Sequence, residues 1–170
     1  MLFRIGCQAG TYVRKFVHDF GIKIKAGAHM AELVRTRVAG FSYNDWVTLH
    51  DLKDAYVLWK EEGREEMLRK CIRPIEDAVS HMPKIWVRDS SVDTLAHGAA
   101  LAVPGIAKLH SGIMRGENVA VMALKNELVL VGKAVMGSDE MIREENGIAV
   151  ESWKVFMERG IYPKFSKGAE

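Results

Sequence analysis

Cysteine is scarce: the 170 residues contain two, Cys7 and Cys71, far apart and in no Cys-x-x-Cys spacing. That argues against a disulfide framework or a cysteine-ligated zinc site and points to two small buried hydrophobes in a reducing compartment. The six histidines, at 18, 29, 50, 81, 97 and 110, show no His-Glu-x-x-His or related ligand spacing, so no metal or other cofactor is expected. No apolar run approaches the roughly 20 residues needed to cross a bilayer. The opening Met1-Leu2-Phe3-Arg4-Ile5-Gly6 is too short and too mixed for a signal peptide, so a cytoplasmic protein is expected. Internal repeats and low-complexity stretches are absent too. What is present is the composition of one ordinary domain or two small ones, 48% hydrophobic and 27% charged.

A large excess of either charge is also lacking, since the formal net charge is +2, but the charge is spread unevenly. Residues 1–40 carry seven basic groups (Arg4, Arg14, Lys15, Lys23, Lys25, Arg35, Arg37) against Asp19 and Glu32. Residues 41–80 carry six basic against nine acidic groups, and residues 81–170 hold eleven of each. A basic first block can face phosphate or can be a solvated helix face, and charge alone leaves both open.

Periodicity divides the chain at Pro83. Residues 2–8 read as a strand. Val13, Phe16, Val17, Phe20 and Ile24 then recur on one helix face, with Thr11 as the expected N-cap and Gly27 as the stop. Residues 29–38 alternate as a second strand, with Leu33, Arg35 and Arg37 on one face. Thr48 and Asp51 form a capping-box start for a helix over 48–58, followed by shorter helices over 64–72 and 75–81. Beyond Pro83 the pattern turns to β: a strand at 85–87, a helix from Asp89 to Leu95, strands at 119–124 and 128–136 joined by Lys125-Asn126-Glu127, a helix at 138–145 and a last strand at 148–157. Short strands punctuated by glycines at 98, 105, 112, 116 and 132 suggest a small barrel.

Several segments carry a family resemblance. Gly10-Thr11-Tyr12-Val13-Arg14, His18-Asp19-Phe20-Gly21 and Gly27-Ala28-His29-Met30-Ala31-Glu32-Leu33 resemble the C-terminal sheet region of TruB-family pseudouridine synthases. Thr48-Leu49-His50-Asp51-Leu52 is similar to the archaeal and eukaryotic, dyskerin-like branch, the catalytic subunit of box H/ACA guide particles. Residues 96–106, with Gly116, Val119 and Leu130-Val131-Gly132-Lys133-Ala134, resemble a PUA domain. The closing residues 155–159 and 162–164 fit the same branch. The order is collinear over nearly the whole chain.

The resemblance implies an α+β fold in two domains. Residues 1–83 would be the C-terminal part of the catalytic domain, a partial catalytic sheet fragment with a helical connector, and residues 84–165 a PUA β pseudo-barrel. It implies that Arg14 pairs with the catalytic aspartate, whose ionised form a guanidinium favours and orients, and that Leu33 lines the base pocket. That aspartate sits in a Gly-Thr-Leu-Asp context in the family, and no Thr-Leu-Asp occurs here, so the chain alone is expected to be inactive. Gly98, Leu101, Pro104, Gly105 and Ile106 would approach a guide RNA at its 3′ ACA, and Lys108, Lys133, Arg159 and Lys164 would meet phosphates. The implied partners are an H/ACA guide RNA or tRNA and the small accessory proteins of the particle, with no membrane. The alternative is a stand-alone PUA RNA-binding or scaffold protein without catalysis.

Overall fold

The computed structural model describes residues 1–164, which separate into two compact units, residues 1–36 and the chain from 37 onward. The first unit holds one regular element, helix α1 (Val13–Lys23). Its apolar spacing is the one read from the sequence, but its N-cap is Tyr12, not Thr11, and no side chain caps it. The Phe3 ring packs edge-on against Phe16, with centroids 5.8 Å apart. The helix ends where the chain folds back on it: Ala26 and Gly27 both donate to the Gly21 carbonyl, at 3.2 and 3.1 Å. A Cβ on Gly21 would stand 2.2 Å from the Ala28 nitrogen, so this return requires glycine at 21.

Two expectations fail. Residues 2–8 and 29–36 form no strands, and pairing begins only at Arg37. Alternation supplies a face, but a strand exists by its ladder, and among the described residues nothing pairs with these segments. Cys7 is exposed and Cys71 half-buried, so neither is the buried hydrophobe expected of it.

The second unit opens with the hairpin β1 (Arg37–Val38) and β2 (Phe41–Ser42). Helices α2 (Leu49–Glu62) and α3 (Glu66–Cys71) and the 3-10 turn Ile75–Val79 follow. The capping box of α2 is as read: the Thr48 hydroxyl accepts from Asp51 N–H at 3.1 Å, and Asp51 accepts from Thr48 N–H at 2.9 Å. Gly63, in the left-handed region, closes it. Arg73 ties the connector together by ion pairs to Asp45 and Asp77. Hydrogen bonds from the Ser42 amide and hydroxyl, with Arg73 beside it, hold the Asp45 carboxyl below its ordinary range.

The remaining elements are β3 (Lys84–Val87), α4 (Asp89–Ala96), β4 (Leu101–Ala102), β5 (Ile106–Leu109), β6 (Asn118–Ala123), β7 (Leu128–Ala134), α5 (Ser138–Arg143) and β8 (Ile148–Val155). The six strands form one mixed sheet in the order β4-β8-β7-β6-β3-β5, with only β3 and β6 parallel. Its two edge strands, β4 and β5, are joined by the single turn Val103–Gly105. A turn of three residues cannot span an open six-stranded sheet, so the sheet must curl until its edges meet: a pseudo-barrel. Ile85, Val87, Val119, Val121, Leu130 and Val150 fill its interior, with Val92 and Leu95 of α4 among them. A smaller cluster on the outer face (Ala120, Met122, Leu128, Val131) is covered by Val79, Met82 and Trp86, and Glu76 accepts from Leu128 N–H at 2.9 Å.

The chain beyond β8 is strapped down by Tyr162, whose buried hydroxyl donates to Glu127 at 2.5 Å. That bond and the Glu127 charge, with burial, push the Tyr162 hydroxyl from its ordinary 10 up to about 12. The folded value lies above the unfolded one, so the bond's contribution is whole below pH 10 and is lost as the pH rises through about 12. Tyr162→Phe should therefore cost about 1–2 kcal/mol at neutral pH. The gap between variant and parent in denaturant melts should close as the pH rises through that window. A gap that persists unchanged at high pH would show that the hydroxyl is not the source.

Candidate nucleic-acid interface

Arg14 lies in the first turn of α1, exposed, beside Lys15. Lys15 is paired with Asp19 at 2.5 Å, whereas Arg14 makes no salt bridge among the described residues. The first turn contains no acidic residue, so the positive end of the helix dipole meets the Arg14 guanidinium instead of a neutralising carboxylate. Tyr12, Arg14, Lys15 and His18 line one concavity. Leu33 is 58% exposed, in no regular element and not among the residues of that concavity, so the two residues assigned to the catalytic face are not seen joined in one pocket.

In the barrel, residues 98–106 form the seam where the two edge strands meet. Gly98 has φ +91° and donates to the Leu95 carbonyl at 2.8 Å, the left-handed stop after α4. Nothing lies near its Cβ position, so the backbone here is open to a ligand. Pro104 is exposed, and Ile106 is half-buried against the core. Leu101 is corrected: at 2% exposure its side chain is a core residue paired to Val150, and it offers no surface to a base. Gly105 has a reason other than ligand approach. A Cβ there would meet Ser91 Oγ at 2.8 Å, and its carbonyl accepts from Arg88 N–H, so glycine lets the seam close on α4.

The four lysine and arginine candidates lie on different elements. Lys108 sits opposite Trp86, with its Nζ 4.4 Å from the centre of the indole ring. The indole N–H donates to Asn126 at 2.8 Å, and His110 packs on the ring edge-on at 5.1 Å. Lys108 is thus part of an aromatic cluster that the sequence reading missed, although Trp86 in a short strand was the available signal. Lys133 is exposed on β7 opposite Glu151, and Arg159 and Lys164 are exposed beyond β8. Among the described residues, no group of three or more His, Cys, Asp or Glu is placed to hold a metal, and no helix is long and apolar enough to cross a membrane.

Known proteins resemble both parts of the chain. Residues 14–80 match the tRNA pseudouridylate synthase B C-terminal domain, and residues 83–156 match the PUA domain. A probable tRNA pseudouridine synthase B of Pyrococcus furiosus is 56% identical over 165 residues, covering 96% of this chain and 48% of that protein. Its namesake in Methanosarcina barkeri is 52% identical over 164 residues, covering 96% and 48%. Among solved structures, a chain of an H/ACA ribonucleoprotein bound to a substrate RNA containing 2′-deoxyuridine is 56% identical, with a TM-score of 0.87 over 92% of this chain and 50% of that one. A chain of the archaeal box H/ACA Nop10–Cbf5 complex is 55% identical with a TM-score of 0.88, covering 93% and 51%. The chain spans about half the length of the relatives it matches.

Proposed function

Because the chain belongs to the dyskerin-like branch of the TruB-type pseudouridine synthases, as the C-terminal part with its PUA domain, we propose that it is the RNA-holding portion of an H/ACA-guided synthase that converts uridine to pseudouridine in rRNA or tRNA. The observation that carries this reading is the likeness, over more than nine-tenths of the chain, to a protein of an H/ACA particle solved with substrate RNA. In this reading residues 84–165 are the PUA domain and clamp the guide's 3′ ACA along the open backbone of the seam; residue 165 lies outside the described residues. Gly98, Pro104 and Ile106 border that seam, with Lys133, Arg159 and Lys164 toward the phosphates. Residues 1–83 present Arg14 to a carboxylate supplied from outside this chain, and Leu33 to the base. Small accessory proteins of the kind seen in the related complexes dock on the particle, which works in the cytoplasm.

The test is RNA binding at fixed salt, because phosphate contacts are salt-dependent. The chain should bind a stem ending in single-stranded ACA at least about tenfold more tightly than the same stem with all three bases changed, since each misread base costs about 1–3 kcal/mol in comparable readouts. Lys133→Ala should weaken both RNAs equally and flatten the salt dependence. Equal affinity for every 3′ end would leave a nonspecific binder and favour the stand-alone scaffold.

A further inference from the structure

Resting on that RNA-binding reading, we infer that Trp153 is a stacking platform for an unpaired base, flanked by Lys133 and Lys154 for its phosphates. The register of β7 and β8 places it. Val131 pairs with Lys154 and Gly132 with Ser152, so Trp153 is the extra residue of a one-residue bulge. Val155 packs toward the barrel interior, whereas Lys154 stands opposite Val131, a member of the outer-face cluster. The bulge turns Trp153 out of the alternation, and its side chain is left 75% exposed. A residue of this size is normally covered, and no other part of the described chain covers it.

An open strand edge admits either a protein strand or a nucleobase, and two features select the nucleobase. β4 pairs with β8 only at Ile148 and Val150, so among the described residues the outer edge of β8 beyond Val150 has no partner strand. Strand addition needs a regular run of backbone groups, and a bulge in mid-run spoils it. What remains is an exposed indole next to exposed Lys154, with exposed Lys133 on β7 one ladder pair beyond Gly132 and opposite Glu151; π surface beside positive charge is a combination that holds single strands. The position also fits. Trp153 follows Val150, the partner of Leu101, by three residues, roughly 10 Å along the strand. That places it within a nucleotide or two of the seam, where it can take a base next to the clamped end.

The experiment uses the full chain and a labelled hairpin whose single-stranded ACA is followed by a short unpaired adenosine tail. Trp153→Ala should weaken binding about tenfold, and Trp153→Phe much less. Indole emission should be quenched on RNA titration in the parent and not in Trp153→Phe. Lys154→Ala should lower the salt slope by about one. Trp153→Ala should melt with the parent, being exposed; if it does not, the quenching comparison with Trp153→Phe decides. Parent-like affinity and quenching in the Trp153 variants, with the preference for ACA intact, would overturn this inference and leave the family reading standing. If the parent self-associates on size exclusion and Trp153→Ala abolishes that while keeping RNA affinity, the residue is a protein contact and this inference is overturned. A parent with no preference for ACA would sink the RNA reading and this inference with it.

Discussion

Gly132→Ala is expected to lower the melting temperature of the chain by roughly 10 °C or more, and Gly132→Val to leave the barrel unfolded. A Cβ at 132 would lie 2.4 Å from the Glu151 carbonyl oxygen and 2.5 Å from Val150 Cγ1. One of those neighbours is backbone in the adjacent strand, so no rotamer change relieves the clash. The ladder between β7 and β8 must part or its bulge must migrate. Overpacking of this kind costs about 1–3 kcal/mol where side chains can yield, and backbone yields less. In a domain this small each kcal/mol shifts the melting temperature by several degrees. Gly98 supplies the contrast: its φ of +91° strains any other residue, but its surroundings are open. Gly98→Ala should cost only about 1–2 kcal/mol. Thermal melts followed by circular dichroism compare the two. If Gly132→Ala melts with the parent, the two strands are not as close as their register implies.

The same two glycines show what could be read from sequence. Both were visible as punctuation, yet only three-dimensional packing tells a turn glycine from one that admits a neighbouring strand. The capping box at Thr48 and Asp51 and the hairpin around Asn126 were legible because each is decided within a few residues. Asn126 takes φ +66°, as a tight connection demands. β4 and β5 were missed because they are two and four residues long and separated by a proline-containing turn, too short for any alternation to register. Residues 2–8 and 29–36 erred in the other direction: they carry a strand pattern without the partners that make it a strand. At the candidate site the sequence picked out the seam but not its internal division. Leu101 and Gly105 serve the core and the closure onto α4, while Gly98 and Pro104 are left free for a ligand. Trp153 escaped notice because a bulge is a property of register, which a single strand's sequence does not contain.

The largest effect expected concerns chemistry. Alone, the chain should form no pseudouridine above background in guided RNA, because no Gly-Thr-Leu-Asp segment occurs in it. Mixed with a separately expressed segment carrying that motif, together with guide RNA and accessory proteins, it should restore isomerisation that depends on Arg14. The local structure supports that role. Lys15 is already held by Asp19, whereas Arg14 has no carboxylate partner among the described residues, at the positive end of a helix whose first turn is free of acid. An incoming aspartate would find two fixed sources of positive potential, which favour its ionised form and orient it as a nucleophile. Arg14→Ala should reduce the restored rate about 10²–10³-fold, the usual cost of removing one oriented electrostatic partner. Arg14→Lys should recover little, because an ammonium cannot reproduce the two-pronged geometry of guanidinium on carboxylate. Pseudouridine mapping and size-exclusion chromatography give the readouts. Turnover by the chain alone would refute the missing nucleophile, and restored turnover indifferent to Arg14 would remove this residue from the catalytic face.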